Sequence, residues 1–242
     1  MKRFTRSIAF LLASLLLIGT LLSCKQNDTP ATTTAPDTPT APIEGRAGMT
    51  PSEIMEILPK VEWVVIEYTT STDVQDLIHT YTKNGNKMYH QLYQHNHLNF
   101  TSAVGNEYMD FENKLHYFNP LGKSNWLTEP SSHTWWDWID HIMEDEELRP
   151  AFNDQVYKPA NKDGVAEARL NSFPQTVQSA KFKSDNKTYT FTFETNSYQP
   201  EAVTLKIAFL KKNIDLPTDA KPKPETQPQP EPPMNVMQDG TR

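Results

Sequence analysis

Residues 188–194 read TYTFTFE, and this stretch decides the fold of the chain. Aromatic residues alternate with threonines, so Tyr189, Phe191 and Phe193 point to one face of a strand and the threonines to the other. A strand with one apolar face covers a core on that face and meets water on the other, which is typical of antiparallel sheets. The stretch therefore predicts an antiparallel sheet with one buried face.

The same period of two continues on both sides of this strand. The predicted strands are 61–68, 76–82, 87–94, 98–104, 107–111, 115–118, 125–128, 165–170, 177–183, 188–194 and 201–210. Short turns such as Asn84-Gly85-Asn86 connect the strands of the first half, and strands connected in this way can pair only antiparallel. We therefore expect one curved sheet.

In two segments, apolar residues recur at helical spacing instead of alternating as in a strand. Thr50-Pro51-Ser52-Glu53 reads as the capped start of a helix that ends at Pro59. Residues 131–148 carry apolar side chains at helical spacing, with Thr134 and Asp137 as a capping box. The predicted fold class is α+β: a single curved, half-barrel-like antiparallel sheet with two or more helices packed on its concave face.

The first residues of the chain form an export signal. A basic start is followed by an apolar run over residues 8–22, which is short for a spanning helix and has no positive cluster after it. Leu21-Leu22-Ser23-Cys24 resembles the lipobox of bacterial lipoproteins, in which diacylglycerol and palmitate-type acyl chains are attached to the cysteine. We expect an extracytoplasmic protein anchored through Cys24 to a bacterial membrane, either the cell membrane or an outer membrane. The alternatives are an ordinary cleaved signal and an uncleaved anchor, and both also export the domain.

Composition divides the chain into four parts. They are a signal peptide (1–23), the lipidated cysteine with a disordered Thr/Pro linker (24–48), a globular domain (49–216) and a disordered Pro-rich tail (217–242). The linker and the tail hold too little apolar surface to offset the entropy of ordering. The middle part is long enough to bury one core.

Charge, cysteine content and missing motifs exclude several classes of function. The formal net charge is -7, so there is no basic excess to neutralise nucleic-acid phosphates. The single cysteine excludes an internal disulfide and a multi-cysteine zinc site. The sequence contains no nucleophile elbow, no glycine-rich phosphate loop and no H-E-x-x-H motif. We therefore expect a non-catalytic protein with no cofactor and no nucleic-acid partner.

Two longer stretches carry a resemblance to a known group. NEYMDFENKLHYFNPLGKSNWLTEP, which begins at residue 106, looks like a recurrent succession of short strands and turns in bacterial envelope lipoproteins. TYTFTFETNSYQPEAVTLKIAFLKKNIDLP, from residue 188, resembles their closing hairpin and exit strand. With the lipobox and the intervening helix, the chain resembles the LolA-like half-barrel group, which includes carriers of lipids or lipoproteins across the envelope. The resemblance implies an apolar cavity between sheet and helices.

Five apolar residues are the candidates for lining such a cavity: Trp63, Trp135, Trp138, Ile139 and Ile142. One hypothesis is that the domain binds a hydrophobic or amphipathic, lipid-like ligand between sheet and helix. Aromatic residues at helical spacing are also typical of a packed core. The other hypothesis is therefore an envelope structural or protein-interaction lipoprotein with a filled core, an envelope protein as its partner and no small-molecule ligand.

His90, His95 and His97 form the one histidine cluster that is visible in the sequence. Zinc and copper sites use pairs of histidines, but they need a third and usually a fourth ligand, and spacing identifies none. We expect a solvated loop here and no metal.

Overall fold

The computed structural model describes residues 42–98, 100–119, 125–196 and 201–224, and within them one sheet dominates the fold. Its strands are β1 (Trp63–Ser71), β2 (Gln75–Asn84), β3 (Lys87–Asn96), β4 (Phe100–Asp110), β5 (Leu115–Phe118), β6 (Leu127–Pro130), β7 (Val165–Glu167), β8 (Val177–Asp185), β9 (Thr188–Thr195), β10 (Ala202–Ala208) and β11 (Lys221–Pro222). The spatial order is β11-β6-β5-β4-β3-β2-β1-β10-β9-β8-β7. Each pair is antiparallel except the short β11–β6 pair. The sheet is curved and unclosed, which confirms the predicted sheet-dominated α+β class.

Register decides which residues share a face of this sheet. Ile66 lies opposite Tyr81 on one side and opposite Ile207 on the other, and residues directly opposite each other point to the same face. We call the face that carries these three side chains the core face. Tyr189, Phe191 and Phe193 also lie on it and are 0–1% exposed, so the alternation predicted for TYTFTFE is confirmed.

The first α-helix, α1 (Pro51–Ile57), forms where the sequence predicts it. The Thr50 side chain accepts a hydrogen bond from the Glu53 backbone N–H, and the Glu53 side chain accepts one from the Thr50 N–H. This reciprocal capping satisfies two N–H groups that the first helical turn leaves without partners.

The single helix predicted over residues 131–148 is wrong. The segment forms a 3-10 turn (Trp136–Trp138), then a helix of four residues, α2 (Asp140–Met143), and a further 3-10 turn (Arg149–Phe152). One reason is Asp145, whose carboxylate accepts hydrogen bonds from the backbone of Glu147 and Leu148 at 2.8 and 3.2 Å. Such side-chain bonds offer the backbone an alternative to helical bonds.

The capping box at the start of this segment is nevertheless present. The Thr134 backbone N–H donates to the Asp137 carboxylate at 2.6 Å, and the Asp137 N–H donates to the Thr134 hydroxyl at 3.4 Å. The box opens a 3-10 turn instead of a longer helix. The local signal was therefore read correctly, whereas the length of the helix was not.

Two predicted strands, 98–104 and 107–111, are one strand in the structure. Gly105 and Asn106, read as a turn, pair within the ladder opposite Leu92 and Gln91. Because their backbones stay in the sheet, β4 is continuous. A register shift between Leu92 and Tyr93 on β3 absorbs the irregularity.

The folded domain extends beyond residues 49–216 at both ends. The Glu62 N–H donates to the Ile43 carbonyl at 2.9 Å, and the Tyr189 hydroxyl donates to the Arg46 carbonyl. At the other end, the Lys221 N–H donates to the Trp126 carbonyl, just before β6, at 3.0 Å. The Lys223 N–H donates to the Thr128 carbonyl, within β6, at 2.8 Å. These are mostly backbone bonds, so composition does not reveal them.

Several predictions fall outside the described residues. They are the signal peptide, Cys24, the linker up to residue 41 and the tail from residue 225 onward. Among the residues that are described, none lies in a helix long and apolar enough to cross a membrane.

We predict that Gly45→Ala lowers the free energy of unfolding by about 1–3 kcal/mol, as overpacking does. A Cβ at this position would collide with the ring of Phe209, which is 2% exposed and part of the core. Urea unfolding of the two proteins measures the difference. Gly105→Ala is the matched control, because a Cβ there meets open space and its effect should stay within about 0.5 kcal/mol. Equal losses in both variants would contradict this account.

Candidate functional site

Three of the predicted cavity residues lie inside a packed core. Trp135, Ile139 and Ile142 are 5%, 0% and 1% exposed and belong to the same buried cluster as the core face of the sheet. The Trp135 indole N–H donates to the Leu58 carbonyl at 3.0 Å, so its polar atom is satisfied as well. These side chains fill the space that the sequence assigned to a ligand.

Trp63 lies on the opposite face of the sheet. Its neighbour Val64 is buried on the core face, and successive residues of a strand point to opposite faces. The Lys211 ammonium lies 5.4 Å from the centre of the Trp63 ring, and the Asn84 side chain donates to the Lys212 carbonyl at 3.0 Å. The chain after β10 therefore covers Trp63, and Trp63 cannot share a cavity with Trp138.

Trp138 is half-buried and lies among histidines. The centre of its ring is 5.5 Å from that of His116 and 6.2 Å from those of His90 and His133. Its indole nitrogen is buried and has no hydrogen-bond partner among the described residues. Of the five predicted residues, Trp138 alone borders a group of titratable side chains.

That group is a row of side chains to which five consecutive strands contribute one residue each. We call it the histidine–glutamate row, and its members from β2 to β6 are His79, His90, Glu107, His116 and Glu129. The register places all five on the core face. Only side chains on one face of adjacent strands can meet in this way.

Each member of the row approaches the next. His79 Nδ1 lies 3.2 Å from His90 Nε2, and His90 Nδ1 lies 3.8 Å from Glu107 Oε2. His116 Nε2 lies 3.6 Å from the same Glu107 oxygen, which is an ionic contact longer than a hydrogen bond. His116 Nδ1 lies 3.3 Å from Glu129 Oε1, and Lys223 Nζ closes the row at 2.7 Å from Glu129 Oε2.

The row is charged towards β6. The neighbouring His116 and His90 rings hold the pKa of Glu107 at about 2, although burial acts in the opposite direction. Burial alone would lower the pKa of His116, but Glu107 and Glu129 outweigh it and the pKa is raised. The Lys223 ammonium lowers the pKa of Glu129. Acidic and basic side chains therefore alternate along this half of the row.

Burial governs the ionisable groups at the β2 end of the row. Burial, followed by the neighbouring His90, lowers the pKa of His79 to about 4. Tyr81 stacks on His90 with ring centres 4.4 Å apart, and its hydroxyl lies 3.4 Å from both His79 Nδ1 and His141 Nε2. Burial raises the pKa of Tyr81, so the phenol stays protonated. His79 and Tyr81 are consequently uncharged hydrogen-bonding groups at neutral pH.

A cleft of about 330 Å³ opens beside the charged half of the row, and we call it the Trp138 cleft. It is lined by His116, Glu129, Pro130, Ser131, Ser132, His133 and Trp138. A second cleft of about 360 Å³ shares residues 131–133 and includes Lys83, Lys114 and the edge of Trp135. A larger cleft of about 580 Å³ lies at the far edge of the sheet beside β7 and β8, away from the histidines.

The histidine cluster predicted from the sequence is divided by the fold. His90 belongs to the row because it lies within β3 opposite Tyr81 and Glu107, so its expected place in a solvated loop is wrong. His97 instead contacts Asp76 at 3.3 Å, and His95 contacts Thr101 at 2.7 Å. Across the described ranges, no group of three or more His, Cys, Asp or Glu side chains is arranged to hold a metal ion.

Sequence reasoning missed four members of the row. His79, Glu107, His116 and Glu129 are far apart in the chain and form no motif. The one usable signal was the Asn84-Gly85-Asn86 turn, which sets the register that places His90 opposite Tyr81. The later strands gave no comparable signal, because β4 was read as two strands.

Comparison with protein-family models and with curated proteins finds no match for this chain.

We predict that the protein loses free energy of unfolding as the pH falls from 6.5 to 4, and that His79→Gln reduces this loss. The folded pKa of His79, about 4, lies below its usual 6.5, so the unfolded chain binds more protons than the folded one in this window. The folded state, which keeps His79 neutral, is therefore favoured at pH values above 6.5. This contribution to the free energy of unfolding is lost as the pH falls towards 4. Urea unfolding at several pH values measures the slope.

The matched control is His95→Gln, at the far end of the same hairpin. It should leave the slope of stability against pH as it is in the wild type. A slope that is equal in wild type and His79→Gln would show that His79 does not carry the effect.

Proposed function

We propose that this protein is a membrane-anchored, extracytoplasmic lipoprotein whose domain is a non-catalytic binding module with a filled core. The observation that carries the proposal is the burial of Trp135, Ile139 and Ile142 to 5% exposure or less. These residues were the expected walls of an apolar cavity. Their packing favours a filled core over carriage of a lipid between sheet and helices, and it leaves the surface of the domain to bind partners or ligands.

The finer architecture is part of this proposal. We place α1 and α2 on the concave face of the sheet, as a half-barrel requires. Support comes from the bond between the Trp135 indole and Leu58, just after α1, and from the shared burial of α2 with the core face. The resemblance to the LolA-like group is supported in this respect by the open antiparallel sheet, and we do not extend the carrier function of that group to this chain.

The anchor rests on the amino-terminal sequence. Cys24 is the one cysteine of the chain and directly follows Leu21-Leu22-Ser23. Seventeen residues, 25–41, separate it from the described domain. A Thr/Pro-rich linker of this length spans on the order of 50 Å when extended, so the domain can stand clear of the headgroups.

The geometry of the row favours binding over catalysis. Both ring nitrogens of His116 are directed at carboxylates, of Glu107 and Glu129, at 3.6 and 3.3 Å. A general base needs a free nitrogen within hydrogen-bond reach of the proton that it removes. His116 is therefore held between two carboxylates, and neither of its ring nitrogens is free to act as a base.

We predict that Cys24→Ser abolishes incorporation of labelled palmitate into the full chain, because the thiol is the site of attachment. Metabolic labelling followed by immunoprecipitation measures this. Ser23→Ala is the matched control and should keep the label, since it leaves the thiol in place. Label retained in Cys24→Ser, or absent from the wild type, would contradict the anchor.

We further predict that the Cys24→Ser full chain carries no lipid in its interior. Native mass spectrometry under gentle conditions should give the mass of the protein alone, because the core side chains leave no space for an acyl chain. A stoichiometric additional mass that extracts into organic solvent as lipid would contradict the filled core and restore the carrier hypothesis.

A further inference from the structure

The Trp138 cleft has the dimensions of a small-molecule site. Its volume of about 330 Å³ lies at the lower end of the range of about 300–1,000 Å³ that ligand pockets occupy. One wall is the segment 131–133, and the other is formed by the ends of β5 and β6 with Trp138. A ligand of one or two rings can be accommodated there.

The charges beside this cleft compensate one another. Lys223 pairs with Glu129, Glu129 with His116, and His116 with Glu107. An anion placed in the cleft would meet the Glu129 carboxylate, and a cation would meet His116, whose pKa is raised. Each of these charged groups already has a partner of opposite sign, so none is left free to attract an ion, which favours a neutral ligand.

Hydrogen-bonding capacity remains on the side of the cleft that faces solvent. Among the described residues, the hydroxyl and backbone N–H of Ser132 have no partner, and the His133 ring makes no hydrogen bond. The Ser131 oxygen accepts a bond from the His133 N–H, which leaves its own proton free to donate. A ligand that both donates and accepts hydrogen bonds would use these groups.

The cleft also contains an apolar surface. Trp138 lines it and is partly exposed, yet its indole nitrogen is buried. The part of the side chain that reaches the cleft is therefore carbon. An aromatic surface of this kind packs against another flat or gently curved apolar surface.

We propose that the Trp138 cleft binds a neutral saccharide. A sugar ring has many hydroxyl groups that donate and accept, one face of C–H groups that can lie against Trp138, and no charge. An apolar lipid would leave the Ser131 and Ser132 hydroxyl groups without partners, which is costly for polar groups removed from water. The inference deepens the proposed binding function and rests on it, but it does not depend on the lipid anchor.

The test compares sugars that differ in charge. The full chain, purified in the non-glycosidic detergent lauryldimethylamine oxide, is titrated with N-acetylglucosamine, its 6-phosphate and glucosamine, and with the neutral disaccharides maltose and cellobiose. Isothermal calorimetry and tryptophan fluorescence report binding. We expect saturable binding of at least one neutral sugar with a Kd of about 1 mM or tighter, and binding at least about tenfold weaker for the charged forms.

Variants locate the binding. Ser132→Trp places a bulky side chain in the cleft at an exposed position, where it does not disturb the core, and should weaken binding at least about tenfold. Asn171→Trp, which introduces the same side chain in the far-edge cleft, is the matched control and should bind as the wild type does. Trp138→Phe should weaken binding while circular dichroism stays unchanged.

Three results would overturn the inference. They are the absence of saturable binding of every neutral sugar, equal binding by wild type and Ser132→Trp, and tighter binding of a charged form than of its neutral parent. Each of these leaves the anchored, filled-core lipoprotein standing. A lipid in the interior, or a chain without the acyl label, would instead contradict the proposed function.

Discussion

The register in which β1 to β6 pair is the constraint on which the rest of the structure depends. Because side chains alternate between faces, the pairing of Ile66 with Tyr81, and of Tyr81 with His90, assigns every residue of these strands to one face. A slip of one residue would move His90 to the other face of the sheet. A slip of β1 by one residue would likewise move Ile66 off the core face. The core and the histidine–glutamate row are thus products of a single register.

Core and row divide the same face between them. The aromatic and aliphatic side chains of β1, β9 and β10 exclude water from one part of the core face, where Trp135 and Ile142 pack against them. Towards β6 the face is half-buried and carries charges, which persist there because each has a partner of opposite sign. Trp138 lies at the border between the two parts. Apolar packing and ion pairing therefore meet beside the Trp138 cleft.

Much of the local structure was predictable, and the errors have identifiable causes. The hairpin around Gly85, the alternation of 188–194 and the cap at Thr50 depend on neighbours in the chain, so local sequence is sufficient for them. The helix over 131–148 failed because Asp145 captures backbone N–H groups and ends the helical turn. Gly105 failed because a glycine can stay in a strand as readily as it can turn.

Sequence alone determined the period of the strands and the turns between the early ones, because each of these depends on residues close together in the chain. From equally local residues it predicts the amino-terminal signal. The faces of single strands followed too, and they already separated Trp63 from Ile66. Only the tertiary structure decided that His79, Glu107 and His116 meet, since their positions depend on the combined registers of several strands. If a prediction misses a bulge or divides one strand into two, as for β4, it assigns the wrong partner to every later residue of the sheet. No local signal in the sequence corrects this error.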